Sequence, residues 1–294
     1  MSVEDLAKIE LHLHLEGAAR PGFIRTLAAE QGVDLDHIFD ADGQYKWHDF
    51  ASFLETYHTA CQVLTSPEIY HRLTRDVLET SAAQGVIYTE LFLAPDICGG
   101  GDLEAWRDYL AAIIEGAKAA REITGIETRL TATCIRNLGP ERAMVAARIS
   151  AETVGPWLTG WGMGGEERAF RAADFAPAFD IAREAGLGIT SHAGELAGAE
   201  SVRETLDALR PARIGHGVRA IEDPDLVTSL ADEGVVLEVN PGSNIALGVF
   251  ADWPDHPIAR LRADGVAVTV STDDPPYFHT DMRREYRMLA ETFG

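Results

Sequence analysis

The sequence predicts an α/β fold, a (β/α)8 TIM barrel with extra helices over its C-terminal mouth, spanning residues 1–294 as one domain. One phrase recurs along the chain: a helical stretch ends in glycine and a short β-branched, apolar run follows at once, as at Gly85, Gly125, Gly186, Gly234 and Gly265. Glycine readily adopts the left-handed backbone that ends a helix, and alternating helices and strands build βαβ units with a parallel sheet. The second observation is the count, about eight such strands, the number that closes a barrel. An open doubly wound sheet would instead carry a glycine fingerprint after its first strand, where this chain carries histidines.

The first strand is expected at residues 9–15. Trp47, Phe50, Phe53, Leu54, Tyr57, Cys61 and Leu64 then recur at helical spacing and predict an extra helix packed over the barrel mouth, part core and part lid. Ser66-Pro67-Glu68 reads as the N-cap, first-turn proline and first-turn acid of the next helix. The remaining strands are expected at residues 86–92, 126–133, 158–163, 187–190, 213–215, 235–239 and 266–270. After the eighth strand the sequence leaves two options open, a short closing helix or further helices beyond Gly294.

Composition narrows the function classes. The chain of 294 residues is 46% hydrophobic, with no apolar run long enough to span a bilayer. Its N-terminus does not read as a signal peptide. Cys61, Cys98 and Cys134 are odd in number and far apart, so neither a disulfide framework nor a cysteine zinc site is expected, and a cytoplasmic protein with free thiols is the simple reading. A formal net charge of −22 repels phosphate backbones and anionic membranes, which argues against nucleic-acid and membrane partners and leaves a neutral or cationic small molecule. Oligomeric state is not legible.

The chemistry is concentrated at strand ends. In Glu10-Leu11-His12-Leu13-His14-Leu15-Glu16-Gly17, strand alternation puts His12 and His14 on one face and Leu11, Leu13 and Leu15 on the other. Two imidazoles on one face can chelate a metal. His192-Ala193-Gly194-Glu195 follows the fifth strand, Arg213-Ile214-Gly215-His216-Gly217 holds the sixth, and Ser271-Thr272-Asp273-Asp274-Pro275 ends the eighth. Barrel enzymes gather their active sites at this face, and a histidine–carboxylate set without thiolate suits zinc, or divalent iron or manganese.

These motifs resemble those of the adenosine/adenine deaminase branch of the amidohydrolase superfamily, over roughly residues 8–285. The resemblance implies a (β/α)8 barrel with one divalent metal, zinc being the expected ion, that deaminates an adenine-type purine by hydrolysis. It implies His12, His14, His192 and Asp273 as metal ligands, Glu195 as the proton-transfer carboxylate, and His216 as the histidine that holds the metal-bound water and takes or shares its proton. It implies Asp274 at the purine's imidazole edge. Gly165, in Met163-Gly164-Gly165-Glu166-Glu167, is implied as the glycine that bonds a ring nitrogen.

Two positions depart from the family pattern. Asn240, in Asn240-Pro241-Gly242-Ser243-Asn244, stands where many relatives have cysteine. Glu16 stands at the pocket mouth where members with adenosine activity usually have aspartate, which tilts the expectation toward the free base. Another hydrolysis within the superfamily, deamination of a modified adenosine, and a non-enzymatic binding protein are the competing readings. Two-metal relatives bridge their ions with a lysine after the fourth strand, and the lysines here, Lys8, Lys46 and Lys118, lie elsewhere.

Overall fold

A computed structural model describes residues 3–294. Eight parallel strands follow one another around the sheet in chain order: β1 (Lys8–His14), β2 (Val86–Leu93), β3 (Glu127–Ile135), β4 (Leu158–Gly164), β5 (Gly188–Ala193), β6 (Arg213–His216), β7 (Val236–Val239) and β8 (Ala267–Val270). The ring closes just beyond β8. The His14 N–H donates to the Asp273 carbonyl and the Asp273 N–H to the His12 carbonyl, each at 3.1 Å.

Helices α1 (Pro21–Gln31), α2 (Phe50–Cys61) and α3 (Pro67–Ala83) lie between β1 and β2. Then α4 (Leu103–Thr124), α5 (Gly139–Ala151), α6 (Ala176–Glu184), α7 (Ala199–Leu209) and α8 (Pro224–Glu233) follow β2 to β6 in turn. Helices α9 (Pro241–Ala246) and α10 (Ile258–Ala263) follow β7, and α11 (Met282–Phe293) follows β8. Among the described residues no helix is long and apolar enough to cross a membrane.

Local chemistry accounts for the element ends. Gly125 and Gly234 cap α4 and α8 with φ of +78° and +67°, a backbone that a Cβ disfavours. Ser66 Oγ accepts from the Ile69 N–H to start α3, with Pro67 at the first turn. Asp49 and Ser52 form a reciprocal capping box that starts α2.

Strict alternation in β1 does not hold. Glu10 pairs with Thr89 while Leu13 pairs with Leu91, so three steps on β1 face two on β2, and the amides of Leu11 and His12 both donate to Ser271 Oγ at 3.1 and 3.2 Å. This is a β-bulge, which re-aims side chains at barrel rims. Leu13 and Leu15 join the core as expected; Leu11 sits at the bulge and is only half-buried. The bulge lets β1 present Glu10 to Thr272 outside the ring and His12 to the centre of it.

Candidate active site and metal centre

Each ligand candidate sits at the C-terminal end of a strand: His12 and His14 on β1, His192 on β5, and Asp273 just after β8. The His192 Nε2 lies 3.0 Å from His12 Nε2 and 3.2 Å from His14 Nε2, and Asp273 Oδ1 lies 3.4 and 3.3 Å from the same two nitrogens. All four donor atoms fall within 4.8 Å of one another.

The His12 ring is held from behind, its Nδ1 3.0 Å from Glu238 Oε2. Burial alone would lower the His12 pKa, but Asp273 and Glu238 outweigh it and raise it to about 9, so positive charge is favoured at this point, and a metal cation would take the place of the Nε2 proton. Burial alone would raise the Glu238 pKa, but His12 and Arg213 outweigh it and hold the carboxylate ionised. Burial, reinforced by His12 and His14, holds His192 well below the ordinary histidine range, so the His192 ring is neutral. Three imidazole nitrogens and a carboxylate oxygen converging on one point call for positive charge between them, and a histidine backed by a carboxylate is the usual support for a metal cation there. The donor set fits a divalent metal.

Asp273 is held in place by its backbone and by Ser243. Its φ is +66°, a left-handed conformation uncommon for a residue with a side chain, and the two backbone bonds to β1 hold it there. Ser243 Oγ donates to Asp273 Oδ2 at 2.7 Å, leaving Oδ1 for the histidines. His216 shares the unusual backbone, with φ +63°. Its Nε2 points at Glu195 Oε1, 3.6 Å away, and Asp273 Oδ2, 3.8 Å away. Gly215, just before it, lies against the His12 ring: a Cβ there would meet His12 Cε1 at 2.7 Å.

Glu195 is buried at the start of the loop after β5. Burial, then the negative charges of Asp273 and Glu167, pushes its pKa well above the usual carboxylate range. The loop is organised by Glu167, whose carboxylate accepts from the backbone amides of Gly194, Glu195, Leu196 and Ala197 and from Ser201 Oγ, at 2.5–3.1 Å. Four converging amides and a hydroxyl satisfy this buried carboxyl group. Glu167→Gln replaces one acceptor oxygen by a donor that faces those amides. We expect kcat to fall roughly 10- to 100-fold with metal content unchanged, by analogy with other supporting-shell changes. A Gln variant with wild-type kcat would remove Glu167 from the account of Glu195.

The pocket beside the cluster is lined by His14, His192, Glu195, His216, Asp273, Asp274, Gly165 and Glu16, so every residue assigned a metal, catalytic or substrate role from the sequence, except fully buried His12, lines one cavity. Asp274 Oδ1 is buried with no hydrogen-bond partner. The oxygen lies against Gly17, where a Cβ would fall 1.5 Å from it. Burial, with Asp273, Glu195 and Glu16 close by, pushes the Asp274 pKa well up. Gly165 has φ +105°, and a Cβ there would meet Asn137 Oδ1 at 2.5 Å. Glu16 Oε1 accepts from Tyr70 Oη at 2.9 Å and from Cys98 Sγ at 3.8 Å. Phe50, Phe53, Leu54 and Tyr57 of α2, with Phe278 and Leu247, form the apolar wall. The predicted aromatic stripe is therefore both core and lid: Phe53 also packs on Tyr277 and Phe278 at 5.4 and 5.1 Å.

Glu238, Ser243, Glu167, Asn244 and His256 were not singled out by sequence reasoning. Ser243 and Asn244 stood inside a motif already in view, and Glu167 closed another; Glu238 and His256 carried no local signal.

The model of the adenosine deaminase family matches residues 7–294. An adenine deaminase of Rhizobium johnstonii is 53% identical over 293 residues, 98% of this chain and 89% of that protein. The crystal structure of an adenine deaminase from Arthrobacter aurescens superposes with a TM-score of 0.87 at 30% identity, covering 97% of this chain and 88% of that one. An amidohydrolase from Burkholderia ambifaria with bound zinc superposes with a TM-score of 0.86 at 25% identity, covering 99% of this chain and 82% of that one.

Proposed function

The chain belongs to the adenosine deaminase family and is a metal-dependent amidohydrolase that deaminates an adenine-type purine; within that frame we propose that its substrate is free adenine, hydrolysed to hypoxanthine and ammonia. We assign His12, His14, His192 and Asp273 as ligands of one divalent ion per chain, zinc, as in the Burkholderia ambifaria amidohydrolase. When bound, such an ion acts as a Lewis acid that brings the pKa of water down to about 7.

The chain's own residues supply the rest. Glu195, protonated through its burial, donates to the ring nitrogen beside the attacked carbon; its carboxylate then takes a proton from the added water and passes it to the departing amine, and the second water proton restores the acid. His216 orients the attacking water between Glu195 and Asp273. Gly165 offers its backbone amide to another ring nitrogen. A raised pKa lets Asp274 donate to a bare imidazole nitrogen of the purine or accept from its N–H.

The carrying observation is Asp274, which lines a largely aromatic and aliphatic pocket beside the histidine–aspartate cluster and has a buried, unpartnered oxygen, Oδ1. An unmet buried acceptor costs about 1–3 kcal/mol, which a planar heterocycle with edge nitrogens would recover. Glu16 is anchored through Oε1 by Tyr70 and Cys98 and lines the pocket, where its side chain, one methylene longer than aspartate, takes up space, which favours the base over the nucleoside. Free thiols at Cys61, Cys98 and Cys134 fit a reducing compartment, and we place the enzyme in the cytoplasm.

The test compares kcat/KM for adenine and adenosine. The wild type should favour adenine, and Glu16→Asp, one methylene shorter, should move the ratio toward adenosine by roughly 10- to 200-fold. A wild type that prefers adenosine or an N6-modified nucleotide would overturn adenine as substrate. An unchanged ratio in the variant would remove Glu16 as the specificity residue.

A further inference from the structure

We propose that His256 and Asn244 form a hydrogen-bond relay that fixes the ring proton of His216 on Nε2, so that His216 is a hydrogen-bond donor to the reacting oxygen and not the base that takes the water's proton. This rests on the reading of His216 as part of the active site. The relay starts at a group with no choice. The backbone N–H of Ile258, at the start of α10, donates to His256 Nδ1 at 3.2 Å. That nitrogen must therefore be bare, and in a neutral ring the proton sits on Nε2. His256 is buried, edge-on to Phe250 with ring centroids 5.3 Å apart. Burial pushes its pKa down to about 4, so the ring is neutral at physiological pH and carries one N–H.

The His256 Nε2 lies 3.2 Å from Asn244 Oδ1. Because that nitrogen donates, the facing amide atom must be the oxygen, which settles the orientation of the amide. Asn244 Nδ2 then points the other way, to His216 Nδ1 at 3.1 Å, with Asn240 Nδ2 at 3.4 Å from the same nitrogen. An amide N–H facing Nδ1 excludes a proton there and leaves it on Nε2, the atom directed at Glu195 and Asp273. The backbone cannot readily slip: the Asn244 N–H donates to the Asn240 carbonyl at 3.0 Å, and the Asn244 carbonyl accepts from Val249 at 2.8 Å. His256 and Asn244 touch no reacting atom and act as positioning residues for His216.

The experiment reads the proton directly. Zinc-loaded enzyme is labelled with 15N-histidine, and His216 is assigned by the signals lost in His216→Asn. Long-range 1H–15N spectra should show protonated Nε2 and bare Nδ1 in the wild type. Asn244→Asp keeps the shape but offers an acceptor where the amide donated. Its His216 should gain a proton on Nδ1, and kcat should fall roughly tenfold or more with KM and zinc content little changed. His256→Leu should broaden or mix the His216 tautomers and lower kcat, and His256→Gln, which keeps an N–H toward Asn244, should recover most of the loss.

A wild-type His216 protonated on Nδ1 would overturn the relay. So would an Asn244→Asp enzyme with unchanged tautomer or kcat. If Asn244→Asp does not fold, the His256 pair decides: equal kcat in Leu and Gln variants also overturns it. The tautomer is read without substrate, so failure of adenine as substrate and failure of the relay are distinguishable.

Discussion

Glu195→Gln should yield a folded, metal-loaded protein whose kcat on adenine is lower by a factor of roughly 100 to 10,000, the usual contribution of a general acid–base group. The substitution preserves shape and burial and removes only the transferable proton. The backbone amide of residue 195 stays bonded to Glu167, so the loop should hold. None of the close donor distances in the four-ligand cluster involves Glu195, so elemental analysis should find the wild-type metal content.

The pH profile adds a sign. Burial holds the Glu195 pKa well above its ordinary value, and the acid form is the one that donates. Its catalytic contribution is therefore present on the acid side of that raised pKa and is lost as pH rises through it. The residual activity of Glu195→Gln should lack that alkaline limb. Wild-type turnover in the variant, or an unchanged alkaline limb, would show that the proton comes from another group, and loss of metal would make Glu195 a ligand.

Asp273→Asn should lose both metal and activity, whereas its neighbour Asp274→Asn should keep the metal and lose turnover by roughly 100-fold or more, the effect of removing one preorganised polar contact to the reacting ring. The adjacent side chains diverge because Asp273 takes a left-handed backbone, φ +66°. Asparagine tolerates that conformation better than most residues, so the substitution tests charge and not strain. Asp273 Oδ1 faces His12 and His14 at 3.4 and 3.3 Å, while Asp274 lines the pocket with its Oδ1 packed over Gly17. Metal content measured on both variants decides: equal loss would mean both carboxylates ligate, and two ions per wild-type chain would overturn the single-ion assignment.

The fold was legible because its rhythm is local. A glycine that ends a helix, and a β-branched run after it, are set by backbone sterics that need no distant partner, as at Gly125 and Gly234. That the candidate residues His12, His14, His192, Glu195, His216, Asp273 and Asp274 converge at one end of the barrel was legible for a related reason. Parallel strands deliver their C-terminal ends to one face, so polar residues at those ends are neighbours whatever the sequence between them.

Simple alternation misplaced Leu11 because the bulge that shifts β1 is made by Ser271, 260 positions away, accepting two amides at once.

What the amino-acid sequence determined by itself, then, is the barrel and the chemical types gathered at its mouth: three imidazoles and a carboxylate that could hold a cation, a further carboxyl and a histidine beside them, and an aromatic stripe along one wall. What only the tertiary structure decided is the state in which each of those groups works. Glu238 on β7 backs the His12 ring, Glu167 after β4 holds the Glu195 loop, Ser243 takes one oxygen of Asp273, and His256 reaches His216 through Asn244. Each of these contacts joins residues far apart in sequence or on separate elements, and hydrogen bonds over a few ångströms leave no periodic trace in the chain. Proton position and carboxylate charge depend on burial and on the atom opposite, so they come into being only when the barrel closes.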